Sequence, residues 1–120
     1  MHAARILRRM TAPVSKFLDT AAMEWRAFDE APGVSFRVLK RQLPGTGVTL
    51  MLRFDAGAAY PAHRHPEGEE YYVIDGELTD AGRAYAAGTY VYHPPGSVHR
   101  PSSVRGATLI VFLPAGIEIV

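Results

Sequence analysis

The sequence predicts an all-β, single-domain antiparallel fold of the sandwich or barrel class, on three observations. Apolar residues alternate with polar ones at a period of two, as in half-buried strands. Eleven glycines and nine prolines divide the chain into short segments. Only the stretch 21–31 has the composition for a helical turn or two. Many short strands with regularly spaced turns are typical of antiparallel sandwiches and barrels.

The predicted strands follow one another along the chain, each bounded by a turn. The alternation predicts strands at 34–38, 48–55, 70–75, 89–93 and 107–113. The predicted turns lie at 44–45, 55–58, 80–82, 87–88, 94–96 and 114–116, where glycine, proline and aspartate are concentrated. No internal repeat or linker separates a second domain.

Length and composition exclude several classes of protein. A chain of 120 residues with 48% hydrophobic and 21% charged residues is typical of one globular domain. The absence of cysteine excludes disulfides, thiolate metal sites and thiol nucleophiles, and it suits the cytoplasm, where we expect the protein. No apolar run approaches the ~18 residues of a membrane span, so we expect no membrane partner.

The net charge of +1 is unevenly distributed. The only charged residues before Phe17 are Arg5, Arg8, Arg9 and Lys16, so residues 1–16 carry +4. The rest of the chain holds the other 9 basic residues and all 12 acidic ones, so its net charge is −3. We therefore predict a basic, flexible arm at 1–16 and one folded domain at 17–120. A basic arm can bind nucleic acid or lipid, but the favoured interpretation is a solvated terminus without a nucleic-acid partner.

Two predicted strands are apolar on both faces. Tyr71 and Val73 point to one side of the sheet, whereas Tyr72 and Ile74 point to the other. The strand at 107–113 has the same property. Both faces must then be covered, either by the N-terminal segment or by a second subunit. Together with the number of tyrosines, this pattern predicts a homodimer.

One stretch, "YPAHRHPEGEEYYVIDG" at 60–76, concentrates titratable side chains just before an apolar run. His63 and His65 share one face of a predicted strand, and the following turn leads to Glu69. His99 follows a second turn and is expected on a neighbouring strand. Three imidazoles and one carboxylate suit a divalent first-row metal and leave positions for water or substrate. The alternative, satisfied core or surface histidines, explains this ordered set less well.

These residues resemble the two motifs of the cupin superfamily. In the first motif, Gly57 is followed after five residues by His63 and His65, after three more by Glu69, and after six more by Gly76.

The second cupin motif is also present, with one departure. Gly88, Pro94, Gly96 and His99 occur at the expected spacings, but Ser103 stands where the family has asparagine. This departure puts only a packing or hydrogen-bonding role in doubt.

The stretches around both motifs look like the ChrR-type cupin subfamily over residues 17–113. The resemblance implies a jelly-roll β-barrel with His63, His65, Glu69 and His99 as the metal ligands. It also implies that 17–120 is a cupin domain. Relatives of this kind include zinc-binding regulatory domains and iron-dependent dioxygenases that cleave carbon–carbon bonds in small diketones or hydroxyketones.

Among the three glutamates of the stretch, Glu69 is the expected ligand. It has both the three-residue gap from His65 and the six-residue gap to Gly76. Glu70 points to the opposite face by strand alternation, and Glu67 lies in the turn.

Other side chains are candidates for the wall of a pocket. Tyr71 shares the strand face of Glu69, and Tyr90 and Tyr92 share a face of the next hairpin. We predict that these tyrosines line the pocket, although aromatic residues in strands are more often core. His93 is expected at the rim or behind the ligands. Arg53 could bind a carboxylate if its side chain faces inward. The favoured alternative is a solvated arginine on the outer face of its strand.

Two functions follow from the predicted site. The first is a metal-dependent oxygenase or lyase that acts on a small carbonyl compound. The second is a non-catalytic sensor or regulatory module that binds a metal and a small-molecule ligand. A structural cupin with an incidental metal is disfavoured, because crowded and unused ligands would remain unsatisfied. The sequence does not distinguish iron, zinc, manganese, nickel or copper.

Overall fold

The structure is a computed structural model and describes residues 12–120. Nearly all regular structure in these residues is strand, so the all-β prediction is confirmed. The elements are a 3₁₀ turn at Thr20–Ala22 and the strands β1 Arg26–Phe28, β2 Ala31–Arg41, β3 Val48–Phe54, β4 His63–His65, β5 Glu69–Asp80, β6 Arg83–Ala86, β7 Tyr90–His93, β8 Ser97–His99, β9 Ala107–Leu113 and β10 Glu118–Ile119. The helical turn expected at 21–31 overlaps only the end of the 3₁₀ turn, and β1 occupies the middle of that stretch.

The strands form two antiparallel sheets. The larger has seven strands in the order β1-β2-β3-β9-β5-β6, with β7 also paired to β5, and the smaller has the order β10-β4-β8. In residues 12–120 the two sheets are not closed into a barrel. The strands of the small sheet are only two or three residues long, and the segment after β8 meets β5 through a single bridge, Thr79 with Ser102. The coarser prediction, an antiparallel two-sheet fold, is confirmed.

The core lies on the inner face of the large sheet. Val48, Leu50 and Phe54 of β3 are buried there, and β9 contributes Leu109 and Val111. The two strands pair in continuous register, with Leu50 opposite Val111 and Phe54 opposite Ala107. Alternation therefore turns one side of each strand towards the small sheet and leaves the other side facing outward.

Strand β5 is longer than the sequence predicts and contains a bulge. The first half, from Glu69, pairs with β7, and the second half, to Asp80, pairs with β6. Its register against β9 shifts between Val73 and Asp75. Gly76 does not end the strand. It has a φ of 75°, and a side chain there would collide with the Gly106 carbonyl. Glycine is thus required where the two backbones meet.

The predicted N-terminal arm is described only in part. Residues 12–16 have no regular structure and are exposed, and the Lys16 Nζ donates a hydrogen bond to the Leu39 carbonyl at 2.8 Å. Arg5, Arg8 and Arg9 lie outside the described residues. Within those residues, no helix has the length and apolarity that crossing a membrane requires.

Candidate metal centre

The pairing of β4 with β8 brings three histidines to one point. His63 lies directly opposite His99, and His65 shares their face of the sheet. The His99 Nε2 lies 3.0 Å from the His63 Nε2 and 2.8 Å from the His65 Nε2. Both β4 histidines are buried, whereas Arg64 between them faces outward and pairs with Glu118.

A tight turn carries the chain from His65 to the carboxylate on β5. The His65 carbonyl accepts hydrogen bonds from the backbone N–H groups of Gly68 and Gly96, at 3.2 and 2.8 Å. Gly68 has a φ of 86°, and a Cβ there would lie 2.7 Å from the His93 carbonyl. Only glycine fits where this turn passes the His93 carbonyl. This close approach holds the turns before β5 and β8 together.

Glu69 is the glutamate that faces the three imidazoles. Its Oε2 lies 3.4 Å from the His65 Nε2, and its Oε1 lies 3.5 Å from the His99 Nε2. Glu70 is on the other face of β5, where it accepts a hydrogen bond from the Tyr90 hydroxyl. Glu67 lies exposed in the turn. The structure thus brings together all four predicted ligands.

The hydrogen bonds around the histidines fix where their lone pairs point. The His63 Nδ1–H donates to the Pro61 carbonyl at 2.7 Å, and the His99 Nδ1–H donates to Asp80 at 3.0 Å. In a neutral imidazole, a proton on Nδ1 leaves a lone pair on Nε2. Two such lone pairs face each other 3.0 Å apart. This arrangement is repulsive unless a proton or a metal cation lies between the nitrogens.

The distances between the four groups fit a metal ion. Ligand atoms around a four- or six-coordinate centre lie about 3.0 to 3.4 Å apart when each bond is about 2.1 Å long. The contacts of His99 with His63, His65 and Glu69, and of His65 with Glu69, span 2.8 to 3.5 Å. The Glu69 Oε1 is also buried without a hydrogen-bond partner in the described residues. A buried carboxylate oxygen of this kind requires a cation or a donor.

Burial sets the protonation of the cluster. Desolvation lowers the pKa of His65 to about 3, with repulsion from His63 second, and desolvation also lowers the pKa of His63. Both imidazoles are therefore neutral near pH 7, as metal ligation requires. Desolvation, with the charge of Asp80 second, raises the pKa of Glu69 to about 8. A nearby cation would offset this cost and keep Glu69 ionised.

Asp80 is a site residue that the sequence analysis missed. It is 2% exposed and accepts hydrogen bonds from the His99 Nδ1, the His93 Nε2 at 2.9 Å and the Tyr71 hydroxyl at 2.7 Å. Burial raises the pKa of Asp80, but these three donors outweigh burial and lower it overall. With Glu69 ionised, the site holds two buried negative charges, which one divalent cation would neutralise.

A cavity of about 350 Å³ opens beside the cluster, between the two sheets. Most of its lining is aliphatic or aromatic, for example Leu52, Leu78 and Phe28. Its polar groups are the four cluster residues, Tyr60, Tyr71 and Glu30. Among the described residues that line it, none is Lys or Arg.

Tyrosines 71, 90 and 92 have different positions relative to the cavity. Tyr71 lines it, but its hydroxyl already donates to Asp80 and so offers only lone pairs to a ligand. Tyr90 and Tyr92 are on the outer face, 59% and 57% exposed, and do not line it. The physical reason is register: β7 pairs with β5 so that Tyr90 lies opposite Tyr72, on the outward side.

His93 and Arg53 also have defined surroundings. His93 pairs with Glu69 across the strands and binds Asp80, behind the His99 ring. Arg53 is exposed on the outer face, where its guanidinium lies 4.6 Å from the centre of the Trp25 ring. It does not face the cavity.

Ser103, which replaces the asparagine of the second motif, makes hydrogen bonds of its own. It is buried; its hydroxyl donates to the Glu77 carbonyl at 2.6 Å and accepts from the Gly106 N–H at 2.8 Å. A serine therefore connects β5 to the loop before β9.

Comparison with known proteins gives a family match and a structural match. The family model described as the ChrR cupin-like domain matches residues 14–116. DNA damage-repair/toleration protein DRT102 of Arabidopsis thaliana is 34% identical over 83 residues, which are 64% of this chain and 26% of that protein. The chain thus spans about a quarter of the length of this curated relative.

Two solved structures are similar in fold. An acetylacetone dioxygenase from Acinetobacter johnsonii has a TM-score of 0.77 at 16% identity, over 90% of this chain and 77% of the other. ChrR, in complex with SigE from Rhodobacter sphaeroides, has a TM-score of 0.66 at 18% identity, over 93% and 75% of the two chains. At such identities the similarity is one of fold alone.

Proposed function

The chain belongs to the family of ChrR cupin-like domains, and on that premise we propose that it binds one divalent transition metal. The ligands are His63, His65, Glu69 and His99. The observation that carries this proposal is the grouping of three imidazoles around the His99 Nε2, with the buried Glu69 carboxylate 3.4 to 3.5 Å from the Nε2 atoms of His65 and His99. The jelly-roll connectivity and the cytoplasmic location expected from the sequence remain part of the proposal.

The function that the cavity supports best is chemistry on a small carbonyl compound. An apolar lining favours a substrate with a hydrocarbon body, and the metal offers a binding point for its oxygens. A phosphate or a polycarboxylate would have no basic partner among the described lining residues. Glu30 and Glu69 would add repulsion. Neutral diketones and hydroxyketones fit this pattern, and an acetylacetone dioxygenase shares the fold.

We propose a metal-dependent oxygenase or a related lyase. When bound, a divalent metal supplies a Lewis acid, and iron(II) in addition supplies redox chemistry with O₂. Oxidative cleavage of a diketone needs no other reductant, because the substrate provides all four electrons, two from the broken carbon–carbon bond and two from a C–H bond of the carbon between the carbonyls, and both oxygen atoms enter the products, an acid and an aldehyde. The protein contributes the ligands, the orientation and the exclusion of water. Leu50, Leu109 and Val111 form a dry wall beside the cluster.

The test is O₂ uptake by the protein loaded with iron(II), with acetylacetone as the first probe. We expect uptake that depends on both iron and diketone. Zinc-loaded protein and a His99→Gln variant should show none, whereas the matched Glu70→Gln variant should retain the activity. The proposal of an oxygenase fails if iron-loaded protein consumes no O₂ with a panel of small diketones and hydroxyketones.

A second candidate function is a non-catalytic metal- and ligand-binding module. The family match and the similarity to the fold of ChrR favour it. Metal analysis of the protein purified from its native host separates the two functions. Redox-active iron supports the oxygenase, whereas zinc together with an absence of O₂ uptake supports the regulatory module.

We also propose that the protein is a homodimer through the outer face of the large sheet. Tyr72 lies opposite both Ile110 and Tyr90 on that face, and all three are exposed. A stable interface buries about 1,200 to 2,000 Å² in total. Light scattering should give a dimer mass that Tyr72→Arg reduces to a monomer mass. A monomer for the wild type at micromolar concentration contradicts the proposal.

A further inference from the structure

Among the described residues, Asp80 is the one carboxylate that hydrogen-bonds to a candidate ligand on the side away from the cluster. Both of its oxygens lie within hydrogen-bond distance of the His99 Nδ1, at 3.0 and 3.1 Å. The same carboxylate accepts the His93 Nε2–H and the Tyr71 hydroxyl. Asp80 belongs to neither sequence motif, and it does not line the cavity.

The three candidate histidine ligands differ in what holds them. The His63 Nδ1 donates to a backbone carbonyl, and the His65 Nδ1 is buried without a partner in the described residues. Only His99 donates to an ionised side chain. A carboxylate acceptor fixes the tautomer and the ring orientation more strongly than a carbonyl does, because the bond is charge-assisted.

We propose that Asp80 is the positioning residue of the metal site. It holds the proton of His99 on Nδ1, directs the Nε2 lone pair towards His63, His65 and Glu69, and adds a negative charge behind the metal. The same carboxylate accepts the hydrogen of the Tyr71 hydroxyl, which leaves only the lone pairs of the Tyr71 oxygen for a substrate in the cavity. This inference rests on the proposed metal site, but it assigns a role to a residue outside the ligand set.

The alternative is that Asp80 only stabilises the fold by satisfying three buried donors. The two roles have different consequences. A structural residue changes the melting temperature of the metal-free protein but leaves the metal affinity and the metal spectrum of the folded protein unchanged. A positioning residue changes both the affinity and the spectrum.

The first experiment is a titration with cobalt(II), followed by visible absorption and by competition with a chelator. Asp80→Asn should weaken cobalt binding by about 10- to 100-fold and shift the absorption bands. Asp75→Asn, an exposed change on the same strand, is the matched control and should match the wild type.

The outcomes separate this inference from the metal site itself. Equal cobalt affinity and equal spectra for the wild type and Asp80→Asn overturn the role of Asp80 and leave the metal site intact. A wild type that binds no cobalt overturns both proposals.

A second experiment needs no variant, in case Asp80→Asn does not fold. Nitrogen-15 NMR of histidine in the metal-free wild type should show His99 protonated on Nδ1. A His99 protonated on Nε2 contradicts the proposal.

Discussion

Replacing Glu69 with glutamine should have opposite effects on the metal-free and the metal-bound protein. Without metal, the carboxylate of Glu69 is 6% exposed, and its Oε1 has no hydrogen-bond partner in the described residues. Its charge is therefore a cost to the fold. With metal, the same charge stabilises the ion.

The size of the effect follows from the pKa of Glu69. Its folded-state pKa of about 8 lies above the ordinary 4.5, so its contribution to stability is present below pH 4.5 and is lost as the pH rises through 8. A difference of about 3.5 units, at about 1.4 kcal/mol per unit, sets a ceiling of about 5 kcal/mol on that loss. A buried glutamine amide without good partners costs about 1 to 3 kcal/mol. We expect a net gain of about 2 to 4 kcal/mol for metal-free Glu69→Gln at pH 9.

The assay is chemical denaturation at pH 5, 7 and 9, in excess chelator and again in excess zinc. In chelator the variant should gain on the wild type as the pH rises. In zinc the order should reverse, because ligand binding to the folded state stabilises the wild type more. Glu70→Gln is the matched control and should follow the wild type in both series. A Glu69→Gln variant that is less stable than the wild type in chelator at pH 9 refutes the reasoning.

Three further predictions concern stability and ligand choice. Ser103→Ala should lower the free energy of unfolding by about 1 to 3 kcal/mol, because two partly buried backbone groups lose a partner, whereas Ser102→Ala should cost less; equal costs contradict the role of Ser103. In metal-free Glu69→Gln, stability should fall below pH 6.5, because the unfolded chain takes up protons that His63 and His65, with lowered pKa, do not accept; melts that are flat from pH 7 to 5 would rule this out. Zinc-loaded protein should bind a neutral diketone at least about tenfold more tightly than a carboxylate of equal size, as calorimetry can measure.

The four candidate ligands were predictable from sequence because their spacing encodes local geometry. Residues two apart on a strand share a face, which fixes His63 and His65, and a short turn reverses the chain before Glu69. The same alternation separates Glu69 from Glu70. His99 was predicted from its motif. Its position opposite His63 depends on the pairing of β4 with β8, which cannot be read from the sequence.

Asp80 could not be predicted by alternation, because the bulge in β5 reverses it. From Glu69 to Val73 the odd-numbered residues face inward, whereas after the shift Leu78 and Asp80 do. Alternation without the bulge places Asp80 outward. The sequence shows Asp80 only as an aspartate next to a turn. Aspartate is common in turns, so its position did not indicate a role in the site. The wrong assignment of Tyr90 to the pocket has a related cause, since the face of β7 depends on its register against β5.

The most direct test of the metal site is diffraction at the cobalt absorption edge, from crystals grown with cobalt(II). We predict one anomalous peak, about 2.0 to 2.3 Å from the Nε2 atoms of His63, His65 and His99 and from a carboxylate oxygen of Glu69. A fully occupied peak elsewhere, or none among these four side chains at saturating cobalt, would contradict it.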